Sequence, residues 1–349
     1  MAIIDKPDLY FNTLLYTGNG SASRAITGVG FQPDLMWFKV RNSTGTHAAF
    51  DSVRGTTGSV YRRLLPNETN AEDTASGTVL AIGSDGFTLG NDANINENTE
   101  TYVSWNWKAN GSGSLNEVGS IDSTVSVNTT SGFSIVSYTG NGTAGATIGH
   151  GLGAVPKMFI VKRVNATGGW VVYNEAIGNT KIIELHDSGA SQTSSAAWNN
   201  TSPSSTTFTL GDYTSTNTSG GTYIAYCFAE KQGYSKFGSY TGNSNADGTF
   251  VYTGFKPAFI LTKASSTGQS WQLYDNKRNA VNQSAKILFP NLGAAEQDDS
   301  SAAAIDILSN GFKQRVNDVG GNGSGNTYIY MAFAESPFVT STGVPATAR

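Results

Sequence analysis

The motif Tyr-Thr-Gly-Asn stands three times in the chain, at residues 16–19, 138–141 and 240–243. Each copy is followed by an equivalent proline and lysine: Pro33 and Lys39, Pro156 and Lys162, Pro257 and Lys263. The chain therefore reads as a tandem array of one module repeated with drift. Chemistry confined to one copy is then local to it, and features kept in all three belong to the fold.

Each unit opens on a short aromatic and β-branched run, such as Phe133-Ser-Ile-Val-Ser-Tyr138, that ends at Thr-Gly-Asn as a strand enters a turn. A second strand follows each proline: Leu35 to Lys39, Met158 to Lys162 and Ala258 to Lys263. These near-continuous apolar runs predict strands buried on both faces. Third strands carry His47 to Asp51, Trp170 to Asn174 and Trp271 to Asp275. The closing strands run from Tyr102 to Trp107, Tyr223 to Phe228 and Tyr328 to Phe333. In them Val103, Trp105 and Trp107 share one face, with Ser104 and Asn106 opposite. That period of two suits a strand between two layers.

The expected fold is all-β, three tandem antiparallel β-sandwiches of jelly-roll or lectin-like type. The expected division is a first module at 1–108, a linker at 109–131, a second module at 132–230, a third at 231–335 and an extended arm at 336–349. The linker assignment rests on the Gly/Ser-rich composition after Ala109 and would leave the first module hinged relative to a rigid second and third. A short turn of helix is expected within residues 301–308.

Composition narrows the function. With 22 Lys and Arg against 26 Asp and Glu, scattered along the chain, the net charge of −4 gives no basic field for nucleic acid or an anionic membrane. The lone Cys227 excludes a disulfide framework within the chain and reads as a buried, inert thiol. Asp5, Lys6, Pro7 and Asp8 interrupt the N-terminal stretch where a signal peptide needs an apolar run, so synthesis in the cytoplasm of a host is expected.

The opening Met1-Ala-Ile-Ile-Asp-Lys-Pro7, the Tyr-Thr-Gly-Asn turns and the closing Tyr328-Ile-Tyr-Met-Ala-Phe-Ala-Glu-Ser-Pro-Phe338 resemble a family of virion-associated proteins of marine bacteriophages. The likeness runs over essentially the whole chain. It implies an exposed component of a virion, structural or fibre-like, and transfers no catalytic residue.

Candidate sites lie where the copies can be compared. Trp170 and Trp271 occupy one module position, with His47 in the first copy. Exposed rings there would stack on a sugar; buried, they would be inter-sheet aromatics, as their size favours. Asp51 with Arg54, and Asp275 with Arg278, place opposite charges three residues apart, expected as a surface ion pair or turn cap. The second copy has Asn174 and Ile177 instead. Asp92, Asn94 and Asn96 have the spacing of a calcium loop without its later Gly and Glu, so no metal is expected. His47, His150 and His186 stand at three different module positions, and no nucleophile elbow, paired-His motif or phosphate loop accompanies them.

The sequence reading is therefore a non-enzymatic virion protein with no cofactor, displayed on the particle as a head-decorating or knob-like component. Its expected partners are capsid or tail proteins and further copies of itself. The alternative is a tail-fibre or adhesin component that binds a host surface glycan through Trp170, Trp271, His47, Asp275 and Arg278.

Overall fold

The computed structural model describes residues 3–279, 281–301 and 303–345. The protein is all-β, built from several antiparallel sheets. The same four-stranded order occurs three times: opening, closing, second and third strand. In the first repeat these are Phe11–Thr17, Thr101–Trp107, Leu35–Val40 and Ala48–Asp51. In the second they are Phe133–Thr139, Thr222–Phe228, Met158–Arg163 and Trp170–Asn174. In the third they are Ser235–Thr241, Thr327–Pro337, Phe255–Ala264 and Gln272–Asp275. Register repeats as well, with Tyr16 opposite Tyr102, Tyr138 opposite Tyr223 and Tyr240 opposite Tyr328.

Period-two alternation sends the two faces of each closing strand into different cores. Val103, Trp105 and Trp107, Ile224, Tyr226 and Phe228, and Ile329, Met331 and Phe333 all enter one central cluster. There Phe11 stacks on Phe333 with centroids 5.3 Å apart, Trp107 meets Phe259 at 5.6 Å and Phe228 meets Phe333 at 5.8 Å. Rings from all three repeats thus pack against one another. At roughly 1.5–3 kcal/mol per large buried apolar side chain, no repeat could expose this face without heavy cost.

The opposite faces form three separate outer cores, each under a smaller sheet. Over the first repeat lie Arg24–Thr27, Val79–Gly83 and Gly86–Leu89, packing Phe87 and Leu89 on Met36, Phe38 and Phe50. Over the second lie Ala146–Gly149 and Thr207–Leu210, and over the third Phe250–Tyr252, Ile305–Leu308 and Gly311–Gln314. Burial on both sides explains why Leu35–Val40 is apolar nearly throughout.

Three expectations are corrected. Residues 109–131 are not a flexible linker: Ser114–Asn116 and Ser123–Asn128 extend the second repeat's sheet, with Ser123 opposite Tyr138 and Asn128 opposite Phe133. Thr124, Val125 and Val127 are strand formers, set among serines and glycines whose composition resembles a linker. Nor is the first repeat hinged, because its central face is shared and Arg41 pairs with Glu296 of the third repeat at 2.8 Å. Within residues 301–308, Ile305–Leu308 is a strand, since Ile305 and Ile307 alternate with Asp306 and bury one face. The third closing strand also continues to Pro337, and residues 346–349 of the expected arm lie outside the described residues.

Candidate functional site

The Tyr-Thr-Gly-Asn turns are held from below by a buried asparagine in every repeat. Asn96 Oδ1 accepts from the Asn19 amide at 3.1 Å, Asn217 Oδ1 from Asn141 at 3.0 Å and Asn322 Oδ1 from Asn243 at 3.0 Å. The motif tyrosines send their hydroxyls to the carbonyls of Ile95, Thr216 and Gly321 at 2.7–2.8 Å. The motif is structural. Asp92, Asn94 and Asn96, with their calcium-like spacing, form the helical turn that carries the first of these asparagines: Asp92 caps it through the Asn94 amide and pairs with Arg63 at 3.1 Å.

The position shared by His47, Trp170 and Trp271 is buried, with exposures of 0%, 2% and 1%. Their side-chain donors run around the molecule. Trp170 Nε1 donates to the carbonyls of Leu65 and Glu68 in the first repeat, at 3.1 and 3.0 Å. Trp271 Nε1 donates to the Glu184 carbonyl in the second at 2.9 Å, and His47 Nε2 lies 3.1 Å from the Phe289 carbonyl in the third. Each repeat therefore holds a neighbour through the same position, and the ring closes. A glycan could not stack on either tryptophan as they stand.

The Asp–Arg pairs are not at the surface either. Arg54 Nε meets Asp51 at 2.6 Å and Arg278 Nε meets Asp275 at 2.5 Å, with both pairs buried. The turn-capping part of the expectation holds: Asp51 Oδ1 accepts from the amides of Val53 and Arg54, and Asp275 Oδ1 from Lys277 and Arg278. The remaining lone pairs face another repeat. Asp51 Oδ2 accepts from the Tyr226 hydroxyl at 2.8 Å, and Asp275 Oδ2 from Trp105 Nε1 at 3.0 Å. Tyr226 and Trp105 hold one closing-strand position, whose third occupant is Met331. Met331 cannot donate, and the repeat that would face it carries Asn174 and Ile177 in place of the charged pair. The copies differ together because burying an unanswered carboxylate is costly.

The repeated lysines are fully buried, and sequence reasoning gave them no role. The signal was there: a lysine inside an apolar run, in all three copies. Lys162 Nζ donates to Thr69 and Gly168 carbonyls at 3.0 and 2.9 Å, and Lys263 Nζ to Ser188 and Gly189 at 3.1 and 2.8 Å. Lys39 Nζ donates to the Val40 carbonyl at 2.7 Å. Burial pushes all three down to about 8. Such an amine could serve as a nucleophile, yet all three are spent on backbone carbonyls, and Lys162 and Lys263 tie loops of the preceding repeat.

The three histidines share one tautomer. Nδ1 accepts an N–H in each: from Trp37 Nε1 at 2.9 Å for His47, the Leu152 amide at 3.2 Å for His150 and the Trp170 amide at 3.3 Å for His186. Nε2 therefore carries the hydrogen. Burial is the main cause holding all three below the usual histidine range. His186 lies within metal-binding distance of Glu184 and Asp187, all inside 4.8 Å of one another. However, His186 does what Asn67 and Asn291 do in the other copies, whose Oδ1 atoms accept from the His47 and Trp271 amides. A cation on Nε2 would force a hydrogen onto Nδ1 against the Trp170 N–H, so the donor set does not suit a metal. Cys227 is buried, and burial pushes its thiol up, away from reactivity.

The model of a family described only as a domain of unknown function, DUF7483, matches residues 6–337. No curated protein and no solved structure matches the chain.

Proposed function

The chain belongs to the DUF7483 family, and we propose that it is a non-enzymatic structural protein of a bacteriophage virion, displayed on the particle as a head-decorating or knob-like block. The supporting observation is the fate of its reactive side chains. His47, Lys162, Lys263 and the Asp–Arg pairs are all engaged in fastening one repeat to another or shaping turns, which is the use a passive block makes of such groups. The virion assignment comes from the resemblance of its repeated turns and its terminal stretches to virion-associated proteins. We read the fold at finer grain as three sandwich-like modules, each a four-stranded sheet under a smaller one, grouped around a shared centre. No segment of the described residues forms a shaft, which favours a knob over a fibre.

Labelled antibody against the chain, imaged on intact particles, tests this reading. Label distributed over the head supports the decorating role. Label confined to the tail would favour the tail-fibre or adhesin alternative, and particles free of label would overturn the virion assignment.

A further inference from the structure

We propose that the third repeat carries a binding cleft for a neutral saccharide, built from residues that the other two repeats do not share. The cleft has a volume of about 240 Å³ and is open to solvent, with Gln269, Gln272, Gln297, Asp318, Phe289 and Leu292 among its walls.

The cleft exists because the copies diverge there. Gln272 stands where the other repeats have Ala48 and Val171, and Gly320 where they have Asn94 and Ser215. In the first repeat the space is filled: Asn94 Oδ1 meets Thr46 Oγ1 at 3.0 Å, and the carboxylate of Asp92 is taken by Arg63. In the second, Tyr213 stands at the Asp318 position and packs on the outer core. In the third, a Cβ on Gly320 would lie 2.5 Å from Gln272 Nε2 and 2.6 Å from Asp318 Oδ2. Glycine there leaves room for the polar pair.

That pair is fixed in advance. Gln272 is 4% exposed; its Nε2 donates to Asp318 Oδ2 at 2.9 Å and its Oε1 accepts from the Tyr274 hydroxyl at 3.2 Å. The amide orientation is thereby set, and the carboxylate is aimed without further ordering cost. The apolar wall is equally anchored, since the Phe289 carbonyl receives the His47 contact from the first repeat.

The chemistry selects the ligand class. One carboxylate and three amides supply acceptors and donors suited to hydroxyl groups, which do both. Phe289 and Leu292 (41% exposed) offer a surface for the C–H face of a sugar ring. Among the described residues no Lys, Arg or His lines the cleft, so phosphorylated or acidic sugars would bring a charge with no answer.

The full-length chain should be titrated with neutral hexoses, pentoses and N-acetylhexosamines, followed by saturation-transfer NMR and calorimetry. We expect one saturable site per chain, weakened at least about tenfold by Asp318→Asn and measurably by Gln297→Ala on the exposed rim. Thr46→Ala, at the filled equivalent in the first repeat, should leave binding unchanged. Absence of saturable binding to every sugar up to about 0.1 M would overturn the proposal. So would binding that survives both cleft variants in folded protein, or a preference for acidic sugars. None of these results bears on the particle location of the chain.

Discussion

His150 shows what a titratable group does in this molecule. It is fully buried, accepts the Leu152 amide at Nδ1 and donates from Nε2 to the Ser204 carbonyl at 3.2 Å. Burial lowers it to about 4, whereas an unfolded histidine titrates near 6.5. The unfolded chain therefore binds a proton first as pH falls from about 6.5 towards 4, and stability drops across that window. The loss from this residue alone is on the order of 3 kcal/mol, and His47 and His186, lowered by the same cause, add to it. Urea unfolding at successive pH values should show the decline, flattened in His150→Asn; stability unchanged from neutrality to pH 4.5 would contradict it. The same residue scale marks where sequence reading stops. An Asp and Arg three apart are visible as a pair, but their burial is not, because Tyr226 and Trp105, which complete them, come from other repeats.

At the scale of elements, period-two patterning made the closing strands legible: both faces are apolar or small, and both are covered. The second strands were legible for the same reason, and the turns because Gly and Asn have few other uses at a strand end. The segment 109–131 was not. Glycine and serine there suggest flexibility, while the strand is fixed by contacts invisible in composition: Asp34 accepts from the amides of Ala109 and Gly111, and Ser126 Oγ from Asn110. Hydrogen exchange separates the two descriptions. Amides of Ser123–Asn128, paired with the opening strand Phe133–Thr139 on one side and, over Ser123–Val125, with Ser114–Asn116 on the other, should exchange about a hundredfold or more slower than an unstructured chain. Uniform exchange at the unstructured rate would restore the linker.

For the whole molecule, repetition announced three units but not how they meet. The residues that point to the common centre, such as Trp107, Phe228 and Phe333, look like any sandwich interior in sequence. Only the assembled chain shows one shared core and a ring of donors closing through His47, Trp170 and Trp271. A lone repeat would expose the central face of its sheet, and a pair would leave the ring open. Scanning calorimetry of the full-length chain shows whether the three repeats form a single closed unit. A closed unit melts in one transition whose van't Hoff and calorimetric enthalpies agree. Two or three resolved transitions, each with its own enthalpy, would contradict it.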